Sequence, residues 1–174
     1  SPPGQKWLYN SGETNLIGSI LYKATGNNLS EYLAEKIWQP YGMEQDAIWQ
    51  LGRSGAEISG CCIAVSLRDY ARFGQFVLDG GKVNGKQVID PAYLKLATSK
   101  QADIGIADRG YGFQWWTFDD GSFNAAGIFG QSIYIDPARR LVRVTSGNWP
   151  TDIDRETLQP AHTAVFRKIQ SALK

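Results

Sequence analysis

A phenol, an amide and a hydroxyl stand together near the start of the chain, at Tyr9-Asn10-Ser11. Apolar residues then recur at three- and four-residue steps, which predicts that this tripeptide lies on a loop at the start of a helix. A phenol with a pKa of about 10 is a weak base at neutral pH. Tyr9 could therefore take a proton only beside a cation such as a lysine, or as part of a proton relay. A loop tyrosine that merely packs its ring gives the same short pattern.

Few other residues could do chemistry. His162 is the only histidine, and its apolar neighbours at helical spacing predict a position on the surface of a C-terminal helix. Cys61 and Cys62 are adjacent, a geometry that disfavours a mutual disulfide, so we predict two buried free thiols. We expect neither a metal site nor a cofactor, because two thiols and one distant histidine lack metal-ligand spacing.

No usable serine nucleophile motif is found in the chain. The one Ser-x-x-Lys sequence runs from Ser171 to Lys174, at a chain end over which no pocket can close. A Gly-x-Ser-x-Gly elbow is absent from the sequence as well. A serine mechanism that uses Tyr9 therefore needs a serine from another segment.

The elements that must position these residues follow from periodicity and from capping residues. Helices are predicted near 12–25, near 30–38, from Ser66 onward, from Asp90-Pro91 to Ala97, and near 160–173. Ser66 and Asp69 have the spacing of a capping box, and Asn84-Gly85 is a hairpin signal. The last helix is expected to cover one face of a sheet with the residues Ala164, Val165, Ile169 and Ala172.

Three strand-like runs occupy residues 111–118, 123–136 and 141–146, joined by turns at Asp120-Gly121 and Asp136-Pro137. Short turns between consecutive strands predict antiparallel pairing. The fold class is therefore α/β in the α+β sense, an antiparallel sheet flanked by helices. Residues 1–109 would form a mostly helical region, and residues 110–174 the sheet and the C-terminal helix.

Two tryptophans, Trp115 and Trp116, stand next to each other on a predicted strand. Neighbouring strand residues face opposite sides of a sheet, so one ring should pack inward while the other faces outward. The outward ring is a candidate pocket wall, or it packs under a second layer of structure.

Three stretches of the chain, residues 3–43, 66–74 and 125–137, resemble the serine hydrolases of the β-lactamase and penicillin-binding-protein fold. The similarity is greatest to the branch of 6-aminohexanoate-dimer (nylon oligomer) hydrolases and related esterases. That family carries a Ser-x-x-Lys nucleophile motif, a Tyr-x-Asn or Tyr-x-Ser motif, and a strand motif that is Lys-Thr-Gly in its best-known members. Tyr9 and Ser11 match the second motif, and the resemblance implies catalytic roles for both.

The strand motif resembles residues 125–131, Ala-Ala-Gly-Ile-Phe-Gly-Gln. The resemblance implies that the Ile128 N–H is an oxyanion donor and that the glycines permit close approach of substrate. It gives five candidate oxyanion or substrate-binding residues: Ala125, Gly127, Ile128, Gly130 and Gln131. Alanine replaces the motif's lysine at position 125, which favours amide or ester substrates without a carboxylate.

The resemblance implies that the chain is the C-terminal part, residues 1–174, of a single β-lactamase-like domain that is incomplete without an N-terminal segment. The expected partner is a complementary segment carrying Ser-x-x-Lys, from the same gene product or a separate chain. The implied activity is hydrolysis of small-molecule amides or esters through an acyl-enzyme. The alternative is a noncatalytic binding or regulatory module similar to a penicillin-binding protein.

Composition excludes several other classes of function. With 174 residues, 43% hydrophobic residues and a net charge of +1, the chain can bury a core and is not a polyelectrolyte. The sequence has no stripe of Lys and Arg with interleaved aromatics, so nucleic-acid binding is not predicted. No apolar run approaches the roughly 20 residues that a membrane span needs. The resemblance suggests a bacterial protein, and its location (periplasmic, secreted or cytoplasmic) stays open.

Overall fold

A computed structural model of the chain describes Pro2, residues 4–150 and residues 158–173. Helix α4 and helix α6 pack on opposite faces of an antiparallel sheet, which gives three layers. The helices are α1 Ser11–Thr25, α2 Leu29–Leu33, a π-helical turn Ala34–Trp38, α3 Gln39–Tyr41, α4 Leu67–Leu78, α5 Pro91–Ala97 and α6 Leu158–Ala172.

The main sheet has six strands in the order β10-β9-β8-β7-β6-β5, so that every strand pairs with its neighbour in sequence. Its strands are β5 Ala102–Asp103, β6 Arg109–Tyr111, β7 Trp116–Phe118, β8 Phe123–Ala126, β9 Ser132–Asp136 and β10 Leu141–Thr145. Two short hairpins accompany it, β1 Ile48–Trp49 with β2 Ile63–Ala64 and β3 Lys82–Val83 with β4 Lys86–Gln87. The predicted antiparallel pairing is confirmed.

The prediction of one strand across residues 111–118 is wrong. Gly112 N–H donates to the carbonyl of Trp115 at 2.8 Å, and Gln114 adopts a positive φ of 66°, so the chain turns there and forms a hairpin. A Cβ at Gly112 would lie 2.0 Å from the carbonyl oxygen of Ala97. Close approach to α5 therefore fixes this turn, a tertiary contact that strand periodicity does not report.

The helix starts follow the predicted caps. The Ser66 hydroxyl accepts from the Asp69 N–H at 3.1 Å, and the Asp90 carboxylate accepts from the Ala92 N–H at 2.7 Å, with Pro91 as the first residue of α5. The Asn84-Gly85 pair, with φ values of 48° and 78°, joins β3 to β4. Local side-chain chemistry thus determines these boundaries.

The hydrophobic core lies between α4 and one face of the sheet. Phe76 and Ile135 are fully buried there. Gly74 brings α4 so near to β10 that a Cβ would lie 2.5 Å from the side chain of Val142. Other buried members of this core are Val77, Val83, Phe123 and Ile133.

Helix α6 covers the opposite face of the sheet with a different side from the one predicted. Phe166 is buried against Tyr134, with 5.3 Å between ring centroids, and Gln170 donates to Asp136 at 2.8 Å. The predicted contact residues instead lie on the exposed side: Ala164, Val165, Ile169 and Ala172. Phe166 and Gln170 determine which side of α6 faces the sheet, because the sheet presents an aromatic ring and a carboxylate to them.

Helix α1 also presents apolar side chains to the surface. Its predicted amphipathic stripe is present, but Leu16 is 61% exposed and Ile20 is 58% exposed. Together with Ile17, Leu21 and Tyr22 these residues form what we call the apolar face of α1. The corresponding apolar face of α6 consists of Val165, Ile169 and Leu173. No described helix is long and apolar enough to cross a membrane.

The prediction of buried free cysteines is wrong. Cys61 and Cys62 form a disulfide with each other and are both exposed. They lie in a surface turn where Cys62 adopts a φ of 79° and its carbonyl accepts from the Gln50 N–H. Because this turn belongs to the surface loop that connects β1 to β2, its side chains do not enter the core.

Candidate functional site

Tyr9 belongs to a group of four packed aromatic rings, which we call the aromatic cluster: Trp7, Tyr9, Tyr111 and Trp116. The Tyr9 ring stacks on Trp116 with 5.4 Å between centroids and 23° between planes. It meets Tyr111 edge-on at 6.0 Å. Stacked and edge-to-face pairs at these distances are favourable beyond the apolar area that they bury. Tyr9 nevertheless stays 53% exposed, so its phenol is held in place and accessible.

Tyr111 is a second phenol beside Tyr9. Burial, and secondarily the charge on Tyr9, raise the pKa of Tyr111 to about 12. A phenol with that pKa is neutral at neutral pH and remains a hydrogen-bond donor. The cluster therefore holds an exposed phenol, Tyr9, beside a half-buried one, Tyr111.

Residues 127–131, here called the glycine loop, connect β8 to β9. The Gly127 N–H donates to the Gln131 carbonyl at 2.8 Å, and the Phe129 N–H donates to the Gln131 amide oxygen at 3.1 Å. Gln131 thus closes the loop from inside with both its backbone and its side chain. Ile128 lies at the tip, 50% exposed, and its N–H has no acceptor within the described part of the chain.

Pairing of β7 with β8 brings the aromatic cluster and the glycine loop to the same end of the sheet. Trp116 is the Cα partner of Asn124, and the strand continues from Asn124 toward Gly127 past the start of β7. Three residues of strand span about 10 Å. Tyr9, which stacks on Trp116, therefore lies at the same end of the sheet as the loop.

The two tryptophans divide as the alternation rule predicts. Trp115 packs edge-on against Phe123, at 5.2 Å, on the face that carries the core. Trp116 faces the other side and contacts Tyr9. Ala125 also packs against the core cluster. The surface beside Tyr9 is thus contributed by Trp116, whereas Trp115 and Ala125 support the sheet from behind.

Ser11 is the first residue of α1, one position after the cap. Asn10 caps the helix by accepting from the Gly12 N–H at 2.9 Å. The Ser11 hydroxyl is exposed and makes no hydrogen bond to the described residues. A neighbouring turn holds the first helical turn in place, because Asn15 accepts from the Gly60 N–H at 2.9 Å. The backbone of Ser11 is therefore held in place, while its hydroxyl makes no hydrogen bond to the described residues.

The prediction of His162 on the helix surface is wrong. Its ring is half-buried against Phe166, at 4.4 Å, and its Nε2 lies 3.0 Å from the Thr145 hydroxyl oxygen. Burial lowers the pKa of His162, and the positive charge of Arg143 lowers it further. The histidine occurs on the sheet-facing side of α6 because that side carries Phe166 and Gln170, not the aliphatic residues.

Two shallow clefts in the described part of the chain lie away from Tyr9. The smaller, of about 200 Å³, lies between α4 and α5 beside Leu94 and Phe123. The other lies beside the β3–β4 hairpin. Within the described residues, no group of three or more His, Cys, Asp or Glu side chains is placed to hold a metal ion. Around Tyr9 the surface is an open, aromatic wall with a free backbone donor nearby.

Trp7, Tyr111 and Thr145 belong to this region and were not singled out from the sequence. Trp7 precedes Tyr9 by two residues, so alternation along an extended segment could have placed both rings on one side. Tyr111 and Trp116 become Cα partners only after the hairpin at Gly112 forms. Thr145 reaches the glycine loop through the pairing of β9 with β10, which no local pattern reports.

Helices packed on both faces of an antiparallel sheet, with a phenol and a glycine-lined strand at one end, define a fold of the β-lactamase and transpeptidase type. The chain matches the family model described as Beta-lactamase over residues 1–165. It therefore belongs to the beta-lactamase family.

Individual relatives agree with this assignment. The 6-aminohexanoate-dimer hydrolase of Paenarthrobacter ureafaciens is 26% identical over 97% of this chain and 45% of the relative. A solved structure from Bacillus anthracis, provisionally named a 6-aminohexanoate-dimer hydrolase, superposes with a TM-score of 0.88 at 30% identity, covering 97% of this chain and 45% of that one. EstCE1, a hydrolase with promiscuous acyltransferase activity, shares the fold with a TM-score of 0.75 at 15% identity, covering 97% and 57%. The chain thus spans about half the length of these relatives.

Proposed function

We propose that this chain is the C-terminal part of a serine hydrolase that cleaves small amides or esters through an acyl-enzyme. A serine in a Ser-x-x-Lys motif on a complementary N-terminal segment attacks the substrate carbonyl. Tyr9, beside the lysine of that motif, passes the serine proton to the leaving amine or alcohol. Water then attacks the acyl-enzyme, which releases the acid and returns the proton to the serine. The chain joined to or associated with that segment is called the complete protein below.

The observation that carries this proposal is the position of Tyr9 beside Trp116, at the end of the sheet where the glycine loop begins. An exposed phenol and a free backbone N–H at Ile128 are the two groups that acyl transfer needs from this half of a site. A serine placed between them would have a proton relay on one side and an oxyanion donor on the other. The free hydroxyl of Ser11 supports a role in orienting Tyr9 and the lysine.

Two surfaces support a complementary segment as the partner. The apolar faces of α1 and α6 expose aliphatic side chains that resemble half of a buried core. The family relatives are about twice as long as this chain. A segment that covered the apolar face of α1 would lie beside the helix that follows Tyr9 directly, which is the side from which a nucleophile must approach.

The groups near Tyr9 favour an uncharged substrate. Position 125 has a small alanine packed against the core, so no lysine at this position can pair with a substrate carboxylate. Trp116 and Tyr9 offer an aromatic surface that suits an apolar acyl or leaving group. The name of the Paenarthrobacter relative, a dimer hydrolase, is consistent with a linear amide as one such substrate.

The test is a turnover assay of the complete protein with p-nitrophenyl esters, a linear amide dimer and nitrocefin. We expect hydrolysis of the ester or the amide and little of nitrocefin, whose carboxylate lacks a partner. Tyr9→Phe should lower kcat by about 100- to 10,000-fold, the range for loss of a positioned proton-transfer group. Tyr93→Phe, which removes an exposed phenol on α5, is the matched control. No turnover of any substrate, or an unchanged Tyr9→Phe variant, would favour a noncatalytic module instead.

A further inference from the structure

A chain of polar groups connects the glycine loop to helix α6. The Thr145 hydroxyl donates to the Gly130 carbonyl at 3.1 Å, and His162 Nε2 lies 3.0 Å from the same hydroxyl oxygen. A hydroxyl carries one proton, and a carbonyl can only accept. The Thr145 oxygen must therefore accept from His162, which requires the imidazole proton on Nε2.

A tryptophan holds the same residue of the loop from another side. Gly130 adopts a φ of 88°, and a Cβ there would lie 2.4 Å from the ring of Trp149. The Trp149 backbone N–H donates to the Phe129 carbonyl at 3.2 Å, and the indole ring meets His162 edge-on at 5.8 Å. The Trp149 backbone N–H and the Thr145–His162 pair thus hold two consecutive carbonyls of the loop, those of Phe129 and Gly130.

These fixed peptide groups are linked to the free donor, because the Gly127 carbonyl, which shares a peptide group with the Ile128 N–H, accepts from the Gly130 N–H at 3.4 Å. Ile128 precedes Phe129, whose carbonyl and N–H are both engaged, so the orientation of the Ile128 N–H depends on how the following peptides are held. Burial and the Arg143 charge keep His162 neutral at neutral pH, so the Nε2–H donor faces Thr145 without placing a second cation beside Arg143. Neither Thr145 nor His162 reaches the tip of the loop.

We propose that Thr145 and His162 are positioning residues that hold the Gly130 carbonyl and thereby aim the Ile128 N–H at the substrate oxyanion. The inference rests on the proposed function for the meaning of that N–H, while the link itself is a property of the fold. Helix α6 would then influence the geometry of the glycine loop through His162 and Thr145, without contacting the substrate itself.

The test in the complete protein replaces Thr145 with valine, which keeps the shape and removes the hydroxyl. Thr145→Val should lower kcat for a p-nitrophenyl ester by about 10- to 100-fold with KM within about twofold, because full loss of an oxyanion donor costs 100- to 1,000-fold and misalignment costs less. Thr145→Ser, which retains the hydroxyl, should restore kcat to within about threefold of the wild type. Thr163→Val is the matched control, because that hydroxyl bonds only within α6.

Unchanged kcat in Thr145→Val, or a loss that Thr145→Ser does not restore, would overturn the proposal. His162→Phe, which cannot donate, should reproduce the kcat loss, and His162→Gln, whose amide can donate to Thr145, should recover part of it. Equal losses in the two His162 variants would show that packing, not the hydrogen bond, matters there.

Nuclear magnetic resonance distinguishes failure of this link from failure of the proposed function, because it needs no turnover. The imidazole nitrogen signals of His162 are identified by their absence in His162→Gln. They should show the proton on Nε2, and a proton on Nδ1 would overturn the link. The amide resonance of Ile128 should move in Thr145→Val and stay in place in Thr163→Val. An Ile128 resonance that does not respond to Thr145→Val would also overturn it.

Discussion

At the scale of single residues, the candidate site centres on one phenol, Tyr9, which three other aromatic rings hold. Tyr9 has no side-chain hydrogen bond to the described residues that would fix its position, and its ring is placed by stacking on Trp116 and edge contacts with Tyr111. Ring contacts orient a phenol without consuming its hydroxyl, which leaves the hydroxyl available for proton transfer. The aromatic cluster is therefore both a support and a candidate substrate surface.

Replacement of the two adjacent tryptophans should separate these functions. In the complete protein, Trp116→Ala removes the ring on which Tyr9 stacks, so we expect kcat/KM for an ester to fall by about 10-fold or more, in line with the effects of small misplacements of catalytic groups. Trp115→Ala leaves Tyr9 in place but removes a ring packed on the core, so it should cost about 3 kcal/mol of folding free energy. Steady-state kinetics and urea unfolding of both variants measure the contrast.

The opposite pattern would contradict this arrangement. If Trp115→Ala impaired turnover at full stability while Trp116→Ala only destabilised the protein, the faces assigned to the two rings would be reversed. Because neighbouring strand residues face opposite sides of the sheet, the same pair of variants tests the faces of both Trp115 and Trp116.

At the scale of elements, a buried carboxylate anchors the start of α4 to a neighbouring loop. The fully buried carboxylate of Asp69 accepts from the N–H groups of Glu44 and Gln45 and from the Ser66 hydroxyl, and pairs with Arg72. Burial by itself would raise the pKa of Asp69, but these hydrogen bonds outweigh it and hold the pKa below its usual range. The carboxylate thus joins the loop before β1 to the start of α4.

Replacement of this carboxylate by an amide should destabilise the protein strongly. In Asp69→Asn the new NH₂ group faces backbone donors, so we expect a loss of about 3 kcal/mol, comparable to breaking a buried ion pair. Thermal denaturation should show a Tm lower by several degrees. Asp46→Asn, an exposed carboxylate in the same loop, is the control and should leave Tm nearly unchanged. A fall of equal size in both variants would contradict a specific role for Asp69.

Stability should also depend on pH through buried carboxylates. Hydrogen bonds from Gln170 and Arg139 outweigh desolvation and lower the pKa of Asp136, as other donors do for Asp69. A carboxyl with a lower pKa in the folded state binds fewer protons than in the unfolded state. Its contribution is therefore present above the unfolded value of about 3.9 and is lost as the pH falls through the folded pKa.

Urea unfolding between neutral pH and about pH 3 measures this loss. The free energy of unfolding should decline below about pH 4, and the decline should be shallower in Asp69→Asn, which lacks one of the titrating groups. A wild-type free energy that stays constant into the acid range would contradict the lowered pKa values.

The sequence predicts these elements well where local chemistry decides them. Ser66, Asp90-Pro91 and Asn84-Gly85 give helix and hairpin boundaries because caps and tight turns depend on a few neighbouring residues. The face that α6 presents was mispredicted, since its aliphatic residues suggested a core contact and the sheet face beneath it is polar and aromatic. The exposure of Cys61 and Cys62 was missed because it depends on how the loop between β1 and β2 lies at the surface of the folded chain.

The candidate site is partly predictable for the same reason. Tyr9, Ser11 and the glycine loop carry short patterns that a resemblance can match. Tyr111 and Thr145 carry no such pattern. They reach the site only through strand pairing, which is a property of the whole sheet.

At the scale of the whole molecule, the main feature is unpaired apolar surface on two helices. The apolar faces of α1 and α6 lie outside the core that α4 forms with the sheet. Exposed aliphatic faces of this kind promote association with another segment, or aggregation when that segment is absent. In our proposal, the N-terminal segment is the single partner that covers the apolar faces of both helices.

A substitution on the apolar face of α1 should weaken that association. Burying one isoleucine contributes about 1.5–3 kcal/mol. With the chain and the N-terminal segment expressed as two pieces, Ile20→Ser should therefore raise their Kd by about 10- to 100-fold. The control is Leu96→Ser, a similarly exposed leucine on α5 outside both faces. Titration calorimetry or co-purification gives the measurement, and equal effects of the two substitutions would argue against α1 as the docking face.

The central claim is that a serine from the N-terminal segment works between Tyr9 and the glycine loop. Its most direct test is covalent labelling of the complete protein with a fluorophosphonate probe, followed by mass-spectrometric mapping of the modified residue. We predict a single modified serine, within a Ser-x-x-Lys sequence upstream of residue 1, and much slower labelling in Tyr9→Phe. Labelling of a serine within residues 1–174, or no labelling of a correctly folded complete protein, would contradict the claim.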